Sequence, residues 1–174
     1  AGRFTVFGLS NFTPDHLNAF REDASQRGLR SFTAVSNQFS LARVQAPIWT
    51  TCYLVSSSTE ADRRWFVDTG TPMLPWSSQA RGFFTDRSGP DKRDDEQLVR
   101  CWYSADNFER KRRAAELAER RGVEPINVAL AWVLAQPFPT FPLIGPKIPD
   151  EIASSMKALE VELTDEERQW LDLQ

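Results

Sequence analysis

The residues that most often carry acid–base and metal chemistry are scarce: among 174 residues there is one histidine, with two cysteines and two tyrosines. His16 falls on the first turn of an expected helix and reads as a solvated side chain. Tyr53 lies in an irregular stretch and Tyr103 near the end of a long loop. No catalytic residue and no metal ligand is assigned from this set. Cys52 and Cys101, two lone thiols in a chain without a signal peptide, are expected to be reduced, which fits the cytoplasm. No apolar run is long enough to span a bilayer. An excess of positive charge is also missing. With 21 Lys and Arg against 24 Asp and Glu, the formal charge is −3, which argues against general nucleic-acid binding. The basic run Arg110 to Arg113 stands among Glu109 and Glu116 and is expected to form a solvated helix face. The chain opens on Ala1-Gly2-Arg3 rather than methionine and enters an apolar run almost at once, so it looks cut rather than begun. What is present, 41% hydrophobic and 26% charged residues, is the composition of a globular domain with a sizeable core.

The organising stretch is Gly122 to Ile152. Pro125 sits where a first helical turn tolerates it, and Ile126 to Ala135 is apolar almost throughout, so that helix should be covered on more than one side. Pro137 and Pro139 end it. Thr140, Phe141, Leu143 and Ile144 then read as a short buried strand. The strand stops at Gly145, and Pro149-Asp150-Glu151 opens another helix. A glycine ahead of a helix start leaves backbone amides free for an anion, and Lys147 adds a mobile positive charge.

Upstream, Phe4 to Leu9 reads as a strand, and Thr13-Pro14 starts a helix that Gly28 stops. A second strand spans roughly Ser31 to Phe39. Ser40 to Ser56 has no clear period. Ser57 with Glu60 resembles a capping box for a helix to about Asp68, with Gly70 as its stop. Met73 to Trp76 is a third short strand, and Ser77 to Ala105 a long polar segment of the kind that is functional or disordered. Asn107 is expected to cap a helix with Glu109–Arg113 and Glu116–Arg120 pairs, ended by Gly122. A last pair of helices follows Pro149 and the Thr164–Glu167 capping box.

Strand–helix alternation, four times with one extra helix, means parallel strands with helices outside them. Four β/α units are half of a TIM-type (β/α)8 barrel or a small open sheet. Polar clusters follow all four strands: Ser10-Asn11, Asn37-Gln38, Trp76-Ser77-Ser78-Gln79 and Gly145-Pro146-Lys147. Each alone is explained by turn chemistry. Together, on the face where parallel α/β proteins bind ligands, they point to a site. Trp76 offers a flat ring, Asn11 and Gln38 offer amides that match a carboxamide, and Lys147 suits a phosphate. The set sketches a nicotinamide nucleotide.

The segments FGLSNF, NQFSLA, MLPWSSQARGFF and LIGPKIPDEIASSMKALEVELT, in that order, resemble the second half of an aldo-keto reductase barrel, from Phe4 to Leu173. The resemblance implies that residues 1–174 form the C-terminal, cofactor-binding half, with NADP as cofactor, NAD as the alternative, and an aldehyde or ketone as substrate. It implies Ser10 and Asn11 on the nicotinamide carboxamide with Gln38 assisting, and Trp76 stacked on the nicotinamide ring. Ser77, Gln79 and Arg81 would approach the pyrophosphate. Gly145, Lys147, Glu151 and Ser155 would grip the adenosine and its 2′-phosphate. Two positions depart from the family's usual pattern: Glu151 stands where arginine is frequent and Ser155 where asparagine is. The family's tyrosine, lysine, aspartate and histidine belong to the first half of the barrel, upstream of this chain. The isolated chain is therefore expected to be inactive and to need that half, or self-association. The alternative is a non-catalytic nucleotide-binding or interaction module built on the same fold.

Overall fold

A computed structural model describes residues 3–49 and 54–174; Cys52 and Tyr53 lie outside the described residues. Two strands, β1 (Gly8–Ser10) and β2 (Ala34–Ser36), pair in parallel with Leu9 opposite Val35. Two further extended segments continue the sheet through isolated parallel bridges, Val35 to Met73, Gln38 to Trp76 and Met73 to Thr140. The ladder between these last two is regular: Met73 N donates to the Pro139 carbonyl at 2.9 Å, and Phe141 N donates to Met73 at 2.8 Å. Leu143 N then donates to Pro75 at 2.9 Å. Pro72, Pro75, Pro139 and Pro142 remove donors from both segments, which is why they are bridges rather than full strands. Within this sheet the order in space is the order in the chain, and every pairing is parallel. That is the α/β arrangement the alternation predicts.

Helices separate the strands. Helix α1 (Pro14–Gln26) opens on Thr13 with Pro14 at its first position, and α2 (Glu60–Thr69) ends on Gly70 at φ 60°. The cap of α2 is Thr59, whose hydroxyl accepts from Asp62 N, and not Ser57. Ser57 is instead buried and bonded to Asn37. The segment after Trp76 is ordered rather than loose. It holds a 3-10 turn at Ala80–Gly82 and a helix, α3 (Glu96–Trp102), absent from the sequence reading. Phe83, Phe84, Leu98 and Trp102 anchor it in the core. Helix α4 (Ala105–Arg121) is capped by Ser104, while Asn107 is buried on its first turn, donating to the Arg43 and Trp102 carbonyls.

Helix α5 (Pro125–Leu134) is covered on two sides, as its composition predicts. Val128, Ala129, Trp132 and Val133 face the main core, whereas Leu130 and Ala131 pack on Ala158 and Val161. Helix α6 (Pro149–Met156) runs into a 3-10 turn, and α7 (Asp165–Leu171) opens on the reciprocal Thr164–Glu167 capping box.

Two expectations fail in informative ways. The fourth strand is not buried: Phe141 is 60% exposed and Leu143 47%. Its far side meets no further strand among the described residues, and the same holds for the first strand, where Phe4 is 72% exposed. The basic run on α4 is not simply solvated either. Arg110 is buried, and it meets Asp172 together with Arg63 and Arg43, at 3.5, 2.9 and 3.2 Å. Lys111 donates to the Thr85 and Ser88 carbonyls, at 2.7 and 2.8 Å, tying the long segment to α4.

Candidate functional site

The carboxyl ends of the first, third and fourth extended segments open on one cleft of about 980 Å³. Ser10, Asn11, Trp76, Ser77, Gln79, Arg81, Gly145, Lys147, Glu151 and Ser155 all line it. Gln38 is the exception. It is fully buried, its amide nitrogen donating to Ser40 at 2.9 Å and its oxygen accepting from Ser56 at 2.7 Å. It supports the sheet end and is not among the cleft-lining residues.

The first wall is held by Asn37, which the sequence reading counted in a strand-end polar cluster without giving it a role. Asn37 Oδ1 accepts from Asn11 N at 2.8 Å and from Phe12 N at 3.3 Å, and its Nδ2 donates to Phe12 O and Ser57 Oγ. This buried side chain fixes Asn11 at φ 62°, a left-handed conformation that asparagine tolerates better than most residues. The Asn11 oxygen accepts from Val55 N at 3.5 Å, so its amide nitrogen is the group left to meet a ligand. Ser10 Oγ donates to Ser36 O at 2.8 Å and retains acceptor capacity.

Trp76 forms the floor. Its indole nitrogen is buried without a hydrogen-bond partner among the described residues. Trp49, which carried no signal in a stretch without period, lies over it with ring centroids 5.4 Å apart and planes at 34°. The following turn places Ser77, Ala80, Arg81 and Gly82 at positive φ. At Gly82 (φ 86°) a Cβ would also approach Arg87 Nη1 to 3.3 Å. Arg87, likewise unforeseen, lines the cleft and pairs with Asp95 at 2.8 Å. Asp95 also caps α3 through Leu98 N, and that bond and Arg87 hold its carboxyl below the usual range. Ser78 Oγ, bonded to Leu143 O at 2.8 Å, ties this turn to the fourth segment.

The opposite wall is α6 with its leading loop. Glu151 Oε2 accepts from Lys147 N at 2.6 Å. Ser155 Oγ donates to Glu151 O at 2.8 Å and accepts from Gln79 at 3.1 Å, bridging the two walls. Glu124, capping α5, lines the same end and accepts from Ser154 at 3.1 Å. A Cβ at Gly145 would meet nothing within 4 Å, so glycine there keeps the rim low instead of relieving a clash. His16 bonds Thr13, and the Tyr103 hydroxyl donates to Lys92 O; neither lines the cleft. Cys101 is a free, buried thiol whose pKa burial pushes up.

A parallel α/β protein with a polar cleft at its strand ends belongs to the class of folds in which that end is the ligand-binding face. The chain is, more specifically, a member of the aldo/keto reductase family, whose model matches residues 1–172. It is similar to an uncharacterized oxidoreductase, YrpG, of Bacillus subtilis, with 28% identity over 95% of this chain and 47% of that protein. It is also similar to the versiconal hemiacetal acetate reductase of Aspergillus parasiticus, 26% identical over 99% of this chain and 48% of the other. A third relative is the aldo-keto reductase dtxS3 of Metarhizium robertsii, at 24% identity over 99% and 44%. The chain thus spans about half the length of the curated relatives it matches. No helix among the described residues is long and apolar enough to cross a membrane.

Proposed function

We propose that residues 1–174 are the C-terminal, cofactor-binding half of a (β/α)8 reductase that reduces an aldehyde or ketone with a nicotinamide dinucleotide. The observation that carries this is the cleft itself, where residues that follow the first, third and fourth extended segments come together beside Trp76. Sheet order equal to chain order supports the half-barrel reading, since a closing barrel adds its strands in sequence. The length relation to the relatives supports it too.

The donor set fits the cofactor. Asn11 and Ser10 would hold the carboxamide, and Gln38 would act only through the backbone it supports. Trp76 would stack on the nicotinamide ring. Ser77, Gln79 and Arg81 would face the pyrophosphate, and Gly145, Lys147, Glu151 and Ser155 the adenosine. The bound nicotinamide would supply the hydride. This chain's own residues bind, orient and shield; the proton donor would come from the part of the protein the chain does not span. NADP is what the resemblance implies and Lys147 supports, while Glu151 supports NAD. The buried, free Cys101 favours a reducing compartment, the cytoplasm.

The second reading, a nucleotide-binding module without turnover, is favoured by one observation: the described cleft is lined by neither tyrosine nor histidine. The test is calorimetric titration of the natural full-length protein with NADH and NADPH, followed by oxidation of the reduced cofactor with a panel of aldehydes and ketones. Binding with carbonyl-dependent oxidation is expected. Binding without oxidation would favour the module, and no binding of either nucleotide would overturn both readings.

A further inference from the structure

Resting on the reading of the cleft as a dinucleotide site, we propose that Glu151 selects the form of the dinucleotide. The cleft takes one whose adenosine ribose carries free hydroxyls, NAD(H), in preference to the 2′-phosphorylated form. This reverses the expectation drawn from Lys147.

The anion position at the start of α6 is already filled by the chain's own negative charge. Lys147 N, the amide that a phosphate would use there, donates to Glu151 Oε2 at 2.6 Å. The remaining oxygen, Oε1, has no partner among the described residues. A carboxylate only accepts hydrogen bonds. Two vicinal ribose hydroxyls can donate to it, whereas a phosphate oxygen facing it brings no proton to share. In dinucleotide sites generally, an acidic residue at the ribose goes with the hydroxyl form and an arginine with the phosphorylated one.

Charge across the cleft points the same way. Arg81 and Arg87 stand on the wall that follows Trp76, where a diphosphate would lie. The other end carries Glu124, Asp150 and Glu151 against Lys147 alone. Lys147 is exposed, so its single charge is screened by solvent and salt. One ammonium does not balance three carboxylates and a phosphate dianion.

The experiment is calorimetric titration of the full-length protein with NADH and NADPH, in wild type and in Glu151→Gln. The amide oxygen of glutamine still accepts from Lys147 N, and residue 151 is exposed on the first helical turn, so the variant keeps its fold; circular dichroism checks this. In wild type NADH is expected to bind about tenfold or more tighter than NADPH. Glu151→Gln is expected to weaken NADH, strengthen NADPH and close most of that gap. NADPH binding as tightly as NADH in wild type, or an undiminished gap in the variant, would overturn this inference and leave the dinucleotide site standing. Binding of neither nucleotide would overturn the site and the inference together.

Discussion

At the scale of single residues, backbone strain gathers where the ligand is proposed to sit. Asn11, Ser77, Ala80 and Arg81 hold positive φ without being glycine, and three of them line the cleft. Outside asparagine and aspartate this conformation costs about 1–2 kcal/mol per residue. Arg81→Gly should therefore raise the melting temperature, by about 1 kcal/mol of stability, while weakening dinucleotide binding. A lower melting temperature would show that the Arg81 side chain stabilises more than its backbone costs. Trp76 gives a second test. Stacking on an aromatic ring contributes roughly 1–3 kcal/mol in nucleic-acid systems, so Trp76→Ala should weaken cofactor binding about five- to a hundredfold. It should also remove much of the ligand-induced quench of tryptophan fluorescence. Because Trp49 already overlies Trp76, Trp49→Phe is the control that separates the two signals, and an unchanged quench in Trp76→Ala would take that ring out of the site.

At the scale of elements, the tail after α7 is locked by charge. Asp172, 3% exposed, joins Arg63 of α2, Arg110 of α4 and Arg43. Removing the carboxylate leaves buried guanidinium groups uncompensated, so Asp172→Ala should destabilise by about 3–5 kcal/mol. Chemical denaturation measures this, and a loss below about 1 kcal/mol would mean that water reaches the cluster. Helix α4 should also respond to acid. The guanidinium groups of Arg112 and Arg113 lower the Glu109 pKa from 4.5 to about 2. A depressed carboxylate pKa contributes stability above the ordinary value, and that contribution fades as pH falls from about 4.5 towards 2. Glu109→Gln should flatten this part of an acid titration followed by helical circular dichroism; an identical titration would refute the coupling.

Those two cases also mark where sequence reading reaches its limit. The Glu109–Arg113 pairing is set by spacing along one helix, and the Thr13 and Thr164 caps are set by neighbours in the chain, so all three were legible. Asp172 and Arg110 are 62 residues apart, and nothing local marks either as buried. Helix α3 was hidden inside a polar run because its three anchors, Leu98, Cys101 and Trp102, are spaced among charges. The cleft was legible through its polar strand ends. Trp49, Arg87 and Glu124 reach it by tertiary placement alone, and Gln38 was drawn away from it by two serines.

At the scale of the whole molecule, both sheet edges are open among the described residues. Phe4, Val6 and Phe7 lie exposed on one, and Phe141 and Leu143 on the other. Ile148, Ile152, Met156 and Leu159, on α6 and at its two ends, are exposed as well. Open ladders template pairing, and apolar patches beyond a few hundred Å² seldom stay bare in a monomer. The 174-residue chain purified alone should therefore scatter light as a dimer or larger, with no carbonyl-dependent oxidation of NADH or NADPH. A monodisperse monomer with a sharp thermal transition would show that the sheet is self-contained.

Because neighbours in space are also neighbours in sequence, each extended segment seats on the one that precedes it in the chain. The sheet can therefore be laid down in the order of the sequence, each segment finding its partner's backbone already in place. Its two rims are then the first and the last extended segments of the described sheet, and whatever is added at either rim leaves every ladder bond between them unchanged.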